Sequence, residues 1–162
     1  MARRRRRSPP VEMTVTIESL TNDGRGVAHH EGKAVFVEDG LQGEVVRCQT
    51  TKRTSKYDMA KVLEVLEASN DRVQPRCSVA GICGGCSLQH MSDSSQIHAK
   101  QQVLLDNLQQ IGKVQPESVL TPLQGPHWHY RRKARLGVKL VPKKGGVLVG
   151  FREKQSGYLA VM

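Results

Sequence analysis

Residues 11–18 read Val-Glu-Met-Thr-Val-Thr-Ile-Glu, and no feature of the chain constrains its fold more. Val11, Met13, Val15 and Ile17 point one way and Glu12, Thr14, Thr16 and Glu18 the other. That is the period of a half-buried β-strand, which must find a ladder partner and a core on one side only. Asn22-Asp23-Gly24-Arg25-Gly26 carries turn chemistry, with two glycines free to take positive φ. Ala34–Val37 reads as a second short strand closed by Asp39-Gly40. Longer strands are expected over 43–50 and 57–67, and the segment between them holds Lys52, Arg53 and Lys56. Short strands at this spacing predict a small β-barrel of OB type over residues 11–69.

The next stretch is organised differently. Residues 69–76 form a linker. Ser92–Ser95 opens a helix, with Gln96 placed three residues after Asp93 as in a capping box. Ile97, Leu104, Leu108 and Ile111 recur at helical spacing, and Gly112 with Lys113 ends the run. That stripe is expected to pack on a core, although no partner surface is evident. Pro116, Pro122 and Pro126 break the following segment. Residues 128–141 and 147–151 then resemble two strands joined by Pro142-Lys143-Lys144-Gly145-Gly146, a hairpin signal. The apolar end, Tyr158 to Met162, has no turn or polar tail and suggests a chain cut short.

Charge is concentrated at the two ends. Of 25 Lys and Arg against 15 Asp and Glu, five arginines lie in residues 1–7. Residues 127–162 hold nine bases against one acid, a local +8, while residues 8–70 hold seven bases against ten acids. Clustered bases favour a polyanion, because they displace counterions condensed on phosphates. Residues 1–10 are expected to be a disordered basic arm. The C-terminal block interleaves its bases with Trp128 and Tyr130, which turns the reading towards nucleic acid. On a strand, Arg131, Lys133 and Arg135 share a face that would meet phosphate. Only 4% of residues are aromatic, so Trp128 and Tyr130 are expected in the interior, with stacking on unpaired bases the other use of such rings. No run approaches the roughly 18 apolar residues a membrane span needs. Ser8-Pro9-Pro10 follows the basic arm where a signal peptide would have its apolar stretch. A cytoplasmic monomer is expected.

Three of four cysteines form Cys77-x5-Cys83-Gly-Gly-Cys86. Gly81, Gly84 and Gly85 let the backbone wrap closely, as thiolates converging on one metal require. Three clustered thiols in an intracellular chain point away from disulfides. Zinc, with His90 as fourth ligand, and an iron–sulfur cluster are both open. Cys48, in a strand beside Val46, is expected to be a small buried apolar residue. The histidines at 29, 30, 98, 127 and 129 show no ligand or acid–base spacing.

The segment from Asn22 to Val37, with Leu41-Gln-Gly-Glu44, resembles a TRAM domain, a small RNA-binding β-barrel. Together with Cys77-x5-Cys83-Gly-Gly-Cys86, Gln89-His90 and Tyr130-Arg-Arg-Lys-Ala-Arg-Leu136, it resembles the bacterial iron–sulfur 23S rRNA uracil-5-methyltransferases. The resemblance implies a mainly β chain with one helix. It comprises the TRAM barrel (11–69), part of an iron–sulfur, RNA-binding α+β central domain (70–92 and 126–162), and a helix and connection (93–125) that packs on a Rossmann-like catalytic domain beyond the chain end. It implies a 4Fe–4S cluster on Cys77, Cys83 and Cys86, with a fourth cysteine just past Met162. RNA would be bound by Arg131, Lys133, Arg135, Lys52, Arg53 and Lys56. The reaction it implies adds a cysteine thiolate to C6 of uracil, so that C5 attacks the methyl group of S-adenosylmethionine, and a general base then removes the C5 proton. Neither that cysteine nor that base nor the S-adenosylmethionine site falls within residues 1–162. The rival reading is a stand-alone RNA-binding module with structural zinc on Cys77, Cys83, Cys86 and His90.

Overall fold

The structure is a computed structural model that describes residues 9–154 and 156–161. The basic arm expected over residues 1–10 lies outside the described residues apart from Pro9 and Pro10, both exposed. The chain divides after Arg72 into two compact units.

The first unit is a six-stranded sheet. Its strands are β1 (Glu12–Thr16), β2 (Ser19–Leu20), β3 (Gly26–His30), β4 (Lys33–Glu38), β5 (Val45–Arg53) and β6 (Tyr57–Glu67). They run in the order β1-β5-β6-β4-β3-β2, with β4 parallel to β6 and every other pair antiparallel. The two ends of that order are neighbours in sequence. Ile17 N–H donates to the Glu44 carbonyl at 2.9 Å, and Glu18 N–H to the Val27 carbonyl at 2.8 Å. One bend therefore carries a single extended segment from the β5 edge to the β3 edge, closing the sheet into a barrel.

The alternation of residues 11–18 dictates what fills it. Met13, Val15 and Ile17 meet Ala28, Val35, Val37, Val46, Cys48 and Ala60 in one buried cluster. Register shifts between β5 and β6 change the phase of β6, so that Val62 and Val65 both lean on this core. Two details depart from the sequence reading. Gly24 takes positive φ as expected, but Gly26 does not. It is small because a Cβ there would stand 2.8 Å from Ile17 Cγ2, and the closing bend passes directly over it. The strand β3 was not foreseen. Its Gly-Val-Ala-His-His sequence lacks β-branched alternation, and it is fixed by a hairpin to β4 in which Glu31 (φ 50°) and Gly32 (φ 75°) are both left-handed.

The second unit holds the helix α1 (Asp93–Gln110) and a three-stranded antiparallel sheet, β7 (Gly137–Val141), β8 (Gly146–Arg152) and β9 (Leu159–Val161). The helix begins one residue earlier than the capping box predicted. Ser92 is the cap and accepts the Ser95 N–H, while the Gln96 amide donates to the Leu88 and Met91 carbonyls at 3.1 and 2.9 Å. Gly112 follows the helix end closely, where a Cβ would lie 2.8 Å from the Leu108 carbonyl oxygen. Among the described residues the stripe on α1 has no core to pack on. No residue of α1 is buried, and Leu104 and Ile111 are 58% and 79% exposed. The hairpin at Pro142–Gly146 forms as the sequence predicts, with a 3-10 turn over Pro142–Lys144 and Gly145 left-handed.

The strand expected over 128–141 exists only from Gly137. Residues 130–136 are all exposed and belong to no ladder. Alternating side chains make a strand only where a neighbouring strand accepts the backbone, and the described residues supply none there.

Candidate thiolate loop and nucleic-acid surface

Residues 77–86 form a loop of tight turns. Ala80 N–H donates to the Cys77 carbonyl, and the N–H groups of Ile82 and Cys83 both donate to the Val79 carbonyl. Gly81 is left-handed at φ 82°. The loop is tied to the far end of β8. Gly84 N–H donates to the Arg152 carbonyl at 2.8 Å, Lys154 N–H to the Ile82 carbonyl at 2.7 Å, and Cys83 bridges Glu153. A Cβ on Gly84 would stand 3.0 Å from the Arg152 oxygen, and one on Gly85 would stand 3.3 Å from the Phe151 ring. The two glycines thus let the loop lie flat on this strand. Thiols and basic sheet, some 70 residues apart in sequence, meet here.

Cys83 is buried, Cys77 half-buried and Cys86 exposed. The Gly85 N–H donates to Cys83 Sγ at 3.3 Å and the Gln89 side-chain oxygen accepts the Cys77 N–H at 3.3 Å. Three soft donors on a glycine-pinned loop suit a thiophilic metal or an iron–sulfur cluster in their chemistry. Among the described residues no three His, Cys, Asp or Glu side chains stand in a metal-binding arrangement. Cys48 is the contrast. It is wholly enclosed in the barrel and burial pushes its thiol up to about 11, as expected of a packing residue.

Of the basic residues singled out by sequence, Arg131, Lys133 and Arg135 lie exposed in the irregular segment before β7, with Arg131 over the Tyr130 ring at 5.7 Å. Without a strand, nothing sorts them onto one face. Trp128 and Tyr130 are not interior residues. They are 38% and 62% exposed, and Arg76 lies over the Trp128 ring at 5.3 Å. Among the described residues the second unit has no closed core that would draw them in.

Lys52, Arg53 and Lys56 are exposed around the β5–β6 turn. This turn is wired from inside. Lys33 Nζ donates to the Thr54 carbonyl and to Asp58 Oδ1, each at 2.6 Å, and Arg53 Nε stands 3.8 Å from Asp58 Oδ2. Thr54 Oγ1 accepts the Tyr57 N–H at 3.0 Å. Sequence reasoning passed over Lys33 and Asp58, since a lone acid in a strand gives no signal until its partners across the ladder are known. It also passed over the edge-to-face pair of Phe36 and Tyr57, with centroids 5.5 Å apart. Arg47, by contrast, is committed to Glu12 and Glu64, each at 3.0 Å.

One buried charge stabilises the barrel end. Glu44 is fully enclosed, and its carboxylate accepts the Leu41 N–H at 2.8 Å and Arg72 Nη2 at 2.7 Å, with Arg72 Nε also donating to it. Arg72 Nη2 reaches the Asp39 carbonyl as well. Burial would push this carboxyl up. The Arg72 hydrogen bonds and the Leu41 and Ser69 amides together outweigh it and hold the group below its ordinary value.

Residues 11–63 match the TRAM domain family. Over its whole length the chain is 51% identical to the 23S rRNA (uracil(1939)-C(5))-methyltransferase RlmD of Alkalilimnicola ehrlichii, of which it covers 36%. Its identity to the enzymes of the same name from Nitrosospira multiformis and Bordetella pertussis is 53% and 51% over 148 residues, covering 91% of this chain and 34% and 32% of theirs. The chain thus spans about a third of the length of the curated relatives it matches. Among the described residues no helix is long and apolar enough to cross a membrane.

Proposed function

We propose that this chain, a TRAM domain followed by a cysteine-bearing unit, is the RNA-recognition portion of an S-adenosylmethionine-dependent 23S rRNA uracil-5-methyltransferase. The observation that carries the reading is 51% identity sustained along all 162 residues to relatives of that name, both units included. Ribosomal RNA is then the partner and the cytoplasm the compartment. The thiolate addition to uracil and the methyl transfer belong to polypeptide beyond these residues.

Within this reading, Cys77, Cys83 and Cys86 hold a 4Fe–4S cluster, completed by a thiolate from further along the polypeptide. The support is the donor set itself, the Gly84-Gly85 contact with β8 and the amide directed at Cys83 Sγ. The loop joins segments distant in sequence, so the cluster is structural and fixes the loop against the sheet. Arg131, Lys133 and Arg135 contact phosphates from a segment that takes its shape on the RNA. Lys52, Arg53 and Lys56 contact phosphates from the barrel.

The activity is tested with the full-length polypeptide, unmodified 23S rRNA and S-adenosylmethionine labelled in its methyl group. The expected product is labelled 5-methyluridine after nuclease digestion, with none formed by the 162-residue chain alone. Label on transfer RNA only, or on another base, would overturn the assignment. Replacing Arg131 and Lys133 by alanine should weaken rRNA binding and flatten its dependence on salt.

A further inference from the structure

On the barrel, the strand phase that buries Val35, Val37, Asp58 and Ala60 turns Phe36, Tyr57 and Met59 outward. Cross-strand register places these side chains side by side. Met59 is opposite Phe36 on β4 and opposite Lys52 on β5, so Lys52, Met59 and Phe36 form one row across three strands. Tyr57 lies in the next row, its ring edge-to-face with Phe36. Both aromatics are half-buried on the outside of a barrel whose interior is filled by aliphatic residues and Cys48. Neither is needed for the core. Lys52, Arg53 and Lys56 border the same end of this face, and the Lys33–Asp58–Thr54 wiring fixes the turn that carries them.

We infer that this outer face of β4, β5 and β6 is a stacking platform for unpaired bases, with Phe36 and Tyr57 taking base faces and Lys52, Arg53 and Lys56 taking the flanking phosphates. It rests on the reading of the chain as an RNA binder, and deepens it. The bound form is single-stranded, because a duplex keeps its base faces stacked on one another. An aromatic and aliphatic surface with basic side chains along one border offers hydrogen-bonding groups to no particular base edge, so the platform selects strandedness rather than sequence. Lys33 and Asp58 are positioning residues, since they reach the turn and not the face.

The test uses the 162-residue chain, with a fluorescent oligouridylate of about 12 nucleotides, within the footprint of a small barrel of this kind, and a blunt RNA duplex of similar length. Tyr57→Leu should weaken oligouridylate binding about tenfold, leave duplex binding and the salt slope unchanged, and be rescued by Tyr57→Phe. Lys52→Ala with Lys56→Ala should weaken both and flatten the slope. Unchanged circular dichroism and melting keep a folding defect apart from a binding one. Wild-type oligouridylate affinity in both Tyr57→Leu and Phe36→Leu would overturn the platform, while loss only in Arg131→Ala with Lys133→Ala would overturn it and leave the RNA-binding reading standing. A dimer in sedimentation that Tyr57→Leu dissolves would assign the face to a second copy instead. Absence of any RNA binding would overturn both.

Discussion

The two units differ in how they dispose of apolar surface. Of the 18 large apolar side chains exposed among the described residues, only Leu63 and Leu66 belong to the barrel. The other 16 lie beyond Arg72, most of them on α1, in the segment over 114–136, and on β7 and β8, with Val73, Ile82, Ile111 and Tyr158 in the loops. The barrel contributes most of the buried apolar residues and encloses a paired Glu44, whereas the buried apolar side chains of the second unit, among the described residues, are Cys83, Met91 and Leu159. A closed sheet satisfies its own ladder and its own core. The three-stranded sheet, the helix and the thiol loop leave apolar surface open among the described residues, and under the proposal above a cluster, RNA and further polypeptide cover it.

Substitutions in the barrel should break this contrast most. Arg72→Ala leaves the enclosed Glu44 carboxylate without its counter-charge, and should lower the stability of the barrel transition by about 3 kcal/mol in urea titrations. Ile17→Ala opens a cavity beneath the closing bend and should cost about 2–4 kcal/mol by the same measurement. Gly26→Ala forces a methyl group against Ile17 and should cost about 1–3 kcal/mol. Leu104→Ala, on the exposed face of α1, should change stability by less than about 0.5 kcal/mol. A loss comparable to that of Ile17→Ala would show that the helix packs where these residues show it open.

Acidity separates the same two regions. The Glu44 carboxyl is held below its ordinary value of 4.5 in the folded barrel. Such a group adds stability above its unfolded value and loses it as pH falls through the lower, folded value. Barrel stability should therefore hold from neutrality to about pH 4.5 and fall below it. In Arg72→Met only the Leu41 and Ser69 amides are left to oppose burial, so the carboxyl is held down less. That variant should lose less stability than the wild type as pH falls below about 4.5. The smallest effect expected is on thiol reactivity. In metal-free protein, Cys86 should react with a thiol reagent first and Cys48 last, since Cys48 is enclosed and its pKa lies near 11.

What could be read in advance follows the same division. The alternation of residues 11–18 predicted the inward set Met13, Val15 and Ile17, and with it the barrel, because a closed sheet is built from local periodicity. The strand at Tyr57–Glu67 and the hairpin at Pro142–Gly146 were legible for the same reason. The β3 strand was not, because its hairpin depends on left-handed Glu31 and Gly32 rather than on side-chain pattern. The Glu44–Arg72 pair joins residues 28 apart and Lys33–Asp58 joins residues 25 apart, separations that no spacing rule covers. In the second unit the sequence pattern asks for partners that the described residues do not supply. Arg131, Lys133 and Arg135 alternate like a strand, and Ile97 to Ile111 repeats like a buried helix face, yet neither finds its partner among the described residues. Periodicity reports what a segment can pair with and leaves open whether the pairing partner lies nearby.

The most direct test of the account is metal analysis of this chain and of the full-length polypeptide, both expressed without oxygen and assayed for iron, acid-labile sulfide and zinc. The account predicts iron and sulfide in equal amounts in the full-length protein, lost in Cys83→Ser while the barrel transition is unchanged. Stoichiometric zinc in both proteins, lost in His90→Ala, would contradict it and leave a zinc-bearing RNA-binding module in its place.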